Sequence, residues 1–189
     1  MENFISTDYQ STLYKHVYNL AGWEKLGKKW TMWVTLPDYK YDYTYGKEPY
    51  QKTMKPLAMT WPLKNLVRIA CEKLRLPNTY NACNLNYYSD GRMALGFHAD
   101  DEDIFFENGV EQDASTIISI SLGAGRFFAF RHIESGETQR FFLKGGSALT
   151  MEGMMQARYF HAVPQQHSEP VSGRINLTFR TIKRPPLSP

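Results

Sequence analysis

The pattern of hydrophobic and polar residues divides the chain at about residue 80. Before that point, apolar residues recur at helical spacing over residues 6–20 and 60–76, and Pro62 stands in the first turn of the second segment. After it come seven short runs rich in β-branched and aromatic residues, with no helical stretch among them. The pattern therefore predicts a mainly β (α+β) protein in which helices precede a sandwich or barrel. The seven runs are ACNLNYY, STIISISLG, RFFAFRH, TQRFFLK, SALTME, ARYFHAVP and RINLTFRTIK.

Residues 28–59 follow neither pattern. They are rich in aromatic residues, lysine, proline and glycine, and they show no helical periodicity. We therefore expect short strands and long loops in this segment. At 189 residues the chain has the length of one domain, and we expect residues 1–189 to form a single domain.

Composition limits the class of protein without choosing a function. The chain is 42% hydrophobic and 22% charged, as is typical of a globular protein in water. A net charge of +3 permits contact with a polyanion but does not establish it. Cys71 and Cys83 lack the spacing of a zinc site, which favours a reducing intracellular setting, either cytoplasm or nucleus. No apolar run approaches the roughly 18 residues that span a membrane, so we expect no membrane partner.

The strictest alternation lies near the C-terminus, in GRINLTFRTI at residues 173–182. In an extended strand one face of this segment is apolar, and the other is polar with Arg174 at one end and Arg180 at the other. The Cα atoms of the two arginines would then be roughly 20 Å apart, and their side chains could close most of that gap around a small dicarboxylate. Arginine suits this task because its planar fork matches a carboxylate. An ordinary half-exposed strand is the alternative.

Two histidines and an aspartate suggest a metal site. His98 and Asp100 lie two residues apart in GFHADDE, so an extended segment directs both side chains to one side, and His161 on a later predicted strand could join them. Two histidines and one carboxylate on one side of an ion form the site of non-haem Fe(II) oxygenases. A solvated acidic loop is the alternative for His98 and Asp100. Such an iron needs a source of electrons, and a keto dicarboxylate held by arginines would provide them.

Together, HAD at 98–100, YFHAVP around His161 and RINLTFR at 174–180 resemble the AlkB family of Fe(II)- and 2-oxoglutarate-dependent dioxygenases. The C-terminal signature of that family has the form R-x-N-x-T-x-R. The resemblance is strongest to members that repair alkylated nucleic acid. It implies a double-stranded β-helix (jelly roll) over about residues 80–183, supporting helices on one side of it, and a nucleotide-recognition lid over about residues 28–60.

The resemblance also implies the residues that bind the metal and the co-substrate. His98, Asp100 and His161 would hold Fe(II). A second set would hold 2-oxoglutarate: Arg174 would bind its distal carboxylate with hydrogen bonds from its neighbours, and Arg180 would lie nearer the metal. The members of this second set are Asn86, Tyr88, Arg174, Asn176 and Arg180.

Substrate contacts follow from the resemblance less directly. Glu102 stands where the family contacts the exocyclic group of the target base, and Asp101 adds negative charge beside it. Trp33, Tyr43 and Tyr45 fall where relatives carry lid aromatics that stack on a flipped base. The chain has PDYKYDYTYG where relatives usually show a Pro-Arg lead-in, so each of these aromatics could instead belong to the core.

The implied reaction consumes Fe(II)-activated dioxygen and 2-oxoglutarate and releases succinate and carbon dioxide. It hydroxylates an N-methyl group on a base such as 1-methyladenine or 3-methylcytosine, which then loses formaldehyde. The expected partner is methylated DNA or RNA, single-stranded, and the expected protein is a monomer. Two alternatives stay open: the same chemistry on a protein or small molecule, and a jelly-roll binding module without catalysis.

Overall fold

The computed structural model describes residues 1–45, 51–106, 116–167 and 171–187. The helices are α1 (Thr7–Tyr18), α2 (Trp61–Leu74) and α3 (Met155–Arg158). The strands are β1 (Glu24–Leu26), β2 (Lys29–Thr35), β3 (Tyr43–Tyr45), β4 (Lys52–Met54), β5 (Leu57–Ala58), β6 (Ala82–Tyr88), β7 (Leu95–His98), β8 (Ile117–Gly123), β9 (Arg126–His132), β10 (Thr138–Leu143), β11 (Ala148–Met151), β12 (Tyr159–Val163) and β13 (Arg174–Arg180).

A major and a minor sheet form most of the β structure, and β3 and β4 form a separate two-stranded hairpin. The major sheet has the order β1-β2-β6-β13-β8-β11, with β5 added in parallel to β2, and the minor sheet has the order β10-β9-β12-β7. Every other pairing in these two sheets is antiparallel. Side chains from both sheets line one polar cavity. This arrangement confirms the predicted jelly roll with supporting helices.

The strand β13 is buried on both faces, and this explains its pattern. Ile175, Leu177 and Phe179 belong to the largest apolar cluster, which the helices α1 and α2 also enter through Leu13 and Leu66. All five of these side chains are fully or almost fully buried. The opposite face of β13 points into the cavity, which Asn176, Thr178 and Arg180 line. This face is therefore polar although it is buried. The half-exposed alternative for this strand is therefore wrong.

The two N-terminal helices begin where the sequence predicts. Ser6 caps α1, and its hydroxyl accepts a hydrogen bond from the backbone N–H of Tyr9 at 3.3 Å. Pro62 occupies the first turn of α2, where its missing N–H costs nothing. The helix α2 ends at Leu74, and the following residue Arg75 caps it in the left-handed conformation with φ of 56°.

Three details of the prediction are corrected. Residues 29–35 of the expected lid form β2, whose residues 30–35 pair with β6 inside the major sheet, and both faces of KWTMWVT are almost entirely buried. Outside the major sheet, the lid region contributes the small hairpin β3–β4, and residues 46–50 lie outside the described residues. The short helix α3 was not expected among the strands. The strand β7 was absent from the seven predicted runs.

Candidate active site

The three predicted metal ligands meet at one point of the minor sheet. His98 is the last residue of β7 and lies directly opposite His161 of β12 in the strand register. Asp100 follows two residues after His98, at the end of the same extended segment. One donor atom from each of the three side chains lies within 4.8 Å of the others. The arrangement has the donor types and the compactness of a site for a divalent cation.

Hydrogen bonds orient these ligands. The Nδ1 atom of His98 lies 2.9 Å from the carbonyl oxygen of Gly96 and donates to it, so the lone pair is left on Nε2. That Nε2 atom is 3.6 Å from Oδ1 of Asp100, and Nε2 of His161 is 3.6 Å from Oδ2 of the same carboxylate. The backbone N–H of Asp100 donates to Oε1 of Gln156 on α3 at 2.8 Å. The short unpredicted helix therefore helps to place the carboxylate.

The protonation states also suit a metal. Burial lowers the pKa of His161 to about 3 and shifts the pKa of His98 downward as well. Burial alone would raise the pKa of Asp100, but the guanidinium of Arg180, 2.6 Å away, holds it well below its usual range. At neutral pH the site presents two neutral imidazoles and one carboxylate. These are the forms in which such residues bind metal ions, so the site fits Fe(II).

Arg174 is a buried cation without an acidic partner among the described residues. Its side chain is 1% exposed, and its Nη2 donates to the Ser121 hydroxyl and to Oδ1 of Asn176, each at 2.9 Å. Its Nε and Nη1 atoms are buried and have no hydrogen-bond partner. An unpaired buried charge is costly, and a bound carboxylate would satisfy both atoms. The predicted 2-oxoglutarate therefore fits the donors that are present.

A strip of short polar side chains links Arg174 to the metal ligands. Asn176 accepts from Ser119 at 3.0 Å and donates to the Thr178 hydroxyl at 2.8 Å. Asn176 and Thr178 line the cavity, whose empty volume including its open mouth is about 440 Å³. The predicted residues Asn86 and Tyr88 line it too, from the neighbouring strand β6.

Arg180 contacts acidic protein groups at the metal end. In addition to Asp100, it lies 3.3 Å from Oε2 of Glu102. The other oxygen of Glu102 accepts a hydrogen bond from the Tyr43 hydroxyl at 2.5 Å. Burial raises the pKa of Glu102 to about 6, although Arg180 opposes this shift. Glu102 is thus held in one orientation beside the metal ligands.

The predicted lid aromatics occupy different environments. Trp33 and Tyr43 are 1% and 0% exposed, and they stack on each other with ring centroids 4.7 Å apart. The indole N–H of Trp33 also donates to the backbone oxygen of Tyr41. Neither ring has a free face in this structure, and their role in stacking on a base stays a prediction. Tyr45 is half-buried and lines the cavity, and its ring centroid is 6.2 Å from that of His98.

Asp101 lies away from the metal ligands. Its side chain is exposed and lines a shallow surface groove that also contains Glu102 and Arg184. The predicted pair of substrate carboxylates is therefore divided, with Glu102 turned inward and Asp101 turned outward.

Several residues of the site were not predicted. Lys29 is 2% exposed, lines the cavity and donates a hydrogen bond to Oδ1 of Asn86, and burial lowers its pKa to about 7. Nothing in the sequence distinguishes it from the neighbouring Lys28. Ser119 and Ser121 could have been found, because they alternate with apolar residues in IISISLG. Gln156 carries no sequence signal, since its role depends on the contact between α3 and Asp100.

Comparison with known proteins agrees with this geometry. A family profile described as the 2OG-Fe(II) oxygenase superfamily matches residues 6–180. The chain therefore belongs to the 2OG-Fe(II) oxygenase superfamily, as its jelly roll and its His-Asp-His cluster indicate. The predicted co-substrate and metal, 2-oxoglutarate and Fe(II), are those of this superfamily.

Individual relatives narrow the comparison. The chain is 32% identical over 166 residues to the Mus musculus protein named alpha-ketoglutarate-dependent dioxygenase alkB homolog 3, an alignment that covers 79% of this chain and 54% of the relative. It is also 32% identical over 163 residues to the Mus musculus DNA oxidative demethylase ALKBH2, covering 79% of this chain and 64% of the relative. The resemblance to the AlkB family is thereby confirmed. The chain spans about half the length of the first of these relatives.

A solved structure shows the same fold. The structure of OsALKBH1 superposes with a TM-score of 0.68 at 18% sequence identity, over 96% of each chain. In the part of the chain that the structure describes, no helix is both long enough and apolar enough to cross a membrane.

Proposed function

We propose that this chain is an Fe(II)- and 2-oxoglutarate-dependent dioxygenase that removes N-methyl groups from bases in DNA or RNA. The observation that carries the proposal is the cluster of His98, Asp100 and His161 in one polar cavity, to which the unsatisfied buried Arg174 is connected through the cavity-lining Asn176. The names of the mouse relatives describe those proteins, and their activity is extended to this chain as part of the proposal.

His98, Asp100 and His161 would hold the iron, and Arg174 would bind one carboxylate of 2-oxoglutarate. When bound, iron and co-substrate together supply an oxidant from dioxygen, with succinate and carbon dioxide as by-products. Asn176 fixes the Arg174 guanidinium through its side-chain oxygen. Asn176 and Thr178 of β13 would offer polar groups to the co-substrate inside the cavity.

Tyr45 and His98 are the proposed stacking partners of the target base. Their rings are 6.2 Å apart at an interplanar angle of 73°, so they do not stack on each other. A base between two parallel rings needs about 3.5 Å on each side, which a rotation and a small shift of the half-buried Tyr45 would provide. Base stacking of this kind contributes about 1–3 kcal/mol per base and tolerates any base.

Glu102 would select the base. Its oxygens are each held by one protein donor, Tyr43 or Arg180, and a carboxylate oxygen has a second lone pair for an exocyclic amine. A base carbonyl at the same place would be repelled. Adenine and cytosine derivatives such as 1-methyladenine and 3-methylcytosine are therefore the preferred substrates in this proposal.

Three further parts of the proposal concern the whole molecule. Unpaired bases cost least to extrude, so single-stranded nucleic acid should be preferred to duplex. Residues 1–189 would act as one catalytic domain and as a monomer.

A panel of methylated oligonucleotides tests the proposed function. The purified protein, reconstituted with Fe(II), is incubated with 2-oxoglutarate, oxygen and single- or double-stranded oligonucleotides that carry one methylated base each. We expect formaldehyde release and loss of the methyl group, fastest on single strands with 1-methyladenine or 3-methylcytosine, and no reaction by a His161→Ala variant. Failure on every oligonucleotide, together with hydroxylation of a peptide or metabolite, would contradict the proposal and support the first alternative.

A further inference from the structure

Lys29 is a second buried cation that forms no salt bridge among the described residues. Its side chain is 2% exposed. Its only described hydrogen bond goes to Oδ1 of Asn86, while an ammonium carries three donors. Its ammonium also lies 5.0 Å from the ring centroid of Tyr45. Burial of a charge with so few partners is unfavourable unless a ligand completes the site.

The contact with Asn86 has a defined polarity. An ammonium can only donate, so the amide oxygen of Asn86 must face Lys29, and its NH₂ group must point elsewhere. Both residues line the cavity. The pair therefore presents N–H donors to a molecule bound there.

The strand register places Lys29 and Arg174 on either side of the strand β6. Lys29 begins β2 and Arg174 begins β13, and both strands pair with β6, which carries Asn86 and Tyr88. Arg174 lies opposite Tyr88, and Trp30 lies opposite Tyr87, so Lys29 comes to the level of Tyr88 from the other side. Two buried cations that form no described salt bridge thus flank one strand.

Resting on the proposed use of 2-oxoglutarate, we propose that Lys29 is a co-substrate-binding residue that donates to a carboxylate of 2-oxoglutarate and orients Asn86 as a second donor. A dicarboxylate matches two buried cations that flank one strand. A base with a positively charged N-methyl group would be repelled by the ammonium. A phosphate of the strand is a poor candidate as well, because Lys29 is buried while its neighbour Lys28 is exposed at the surface.

Direct binding measurements test this inference. Titration calorimetry under anaerobic conditions measures the Kd of 2-oxoglutarate for the Fe(II)-loaded protein and for its Lys29→Met and Lys29→Gln variants. Methionine keeps the length of the side chain without charge, and glutamine restores a neutral donor. We expect Kd to rise about tenfold or more for Lys29→Met, because a charge-assisted hydrogen bond is lost, and less for Lys29→Gln. The exposed Lys28→Met variant is the matched control and should bind normally.

A second readout separates the inference from its rivals. At saturating 2-oxoglutarate, the KM for a methylated oligonucleotide should be the same for Lys29→Met and wild type. Unchanged 2-oxoglutarate affinity in both Lys29 variants would overturn the inference, and so would a defect confined to the oligonucleotide KM. If Lys29→Met does not fold by circular dichroism, the Lys29→Gln result decides. Lys29-dependent binding without any demethylation would leave this inference standing while refuting the proposed substrate.

Discussion

Arg174 offers the sharpest prediction, because the structure gives it two unsatisfied buried donors and no acidic partner among the described residues. The perturbation is Arg174→Met, which removes the charge and keeps much of the side-chain volume. Without co-substrate the variant should be at least as stable as the wild type, since an unpaired buried charge disappears. With co-substrate bound, the wild type should be more stable than the variant.

The size of that reversal follows from linkage. A ligand at 100 times its Kd stabilises a folded protein by about 2.7 kcal/mol. Loss of the charge-assisted bonds to a carboxylate should weaken the binding of 2-oxoglutarate by about 100-fold. The same concentration of 2-oxoglutarate would then only equal the variant's Kd, and its binding would stabilise the variant by about 0.4 kcal/mol. For a chain of this length, these values correspond to an increase in Tm of about 5–11 °C for wild type and about 1–2 °C for the variant.

The assay is thermal unfolding of the Fe(II)-loaded protein under anaerobic conditions, with and without 2-oxoglutarate, so that the co-substrate is not consumed. Arg174→Lys is a useful intermediate, because lysine keeps the charge and loses the planar fork. It should bind 2-oxoglutarate about tenfold more weakly than wild type if one charge-assisted hydrogen bond is lost. If Arg174→Met showed the full wild-type increase in Tm on addition of 2-oxoglutarate, the assignment of this arginine would be refuted.

Four further predictions concern other side chains. His161→Ala should abolish 2-oxoglutarate consumption and weaken Fe(II) binding while the far-ultraviolet circular dichroism stays unchanged, because an open metal site contributes less to folding than a closed structural one; normal turnover would exclude it as a ligand. Tyr45→Ala should slow oligonucleotide demethylation and leave the Kd of 2-oxoglutarate nearly unchanged, and an equal loss of both would place Tyr45 in the co-substrate site instead. Trp33→Ala should cost about 3–5 kcal/mol of unfolding free energy in urea, since the ring is a packed core residue; a stable variant with slow demethylation would support its predicted lid role. In the absence of 2-oxoglutarate, Lys29→Met should be more stable than wild type below pH 7. The folded-state pKa of Lys29, about 7, lies below its usual value of 10.5, so deprotonation relieves the buried charge and the difference in unfolding free energy should shrink as pH rises above 7. A difference that is constant with pH would contradict this.

The sequence alone identified the parts of the protein whose signals are local. The pattern of apolar residues predicted the helices α1 and α2 and seven of the strands, because each of these elements buries a face whose period is visible along the chain. The motif around His98 and Asp100 is also local, because side chains two residues apart on an extended segment point to the same side. His161 required the further assumption that a later strand would cross to the same point, and the register of β12 with β7 provides that crossing.

Only the tertiary structure separated residues of the same type that occupy different environments. Trp33 and Tyr43 belong to the core while Tyr45 faces the cavity, although all three lie in the same aromatic-rich segment. Likewise, Lys29 is buried beside Asn86 and Lys28 is exposed, although they are neighbours in sequence. These differences arise from strand pairing and burial between residues far apart in the chain, and they determine charge, access and hydrogen bonding at the site. The pattern of a single segment contains no information about its distant partners, so the metal ligands could be predicted from the sequence while the full set of groups around the co-substrate could not.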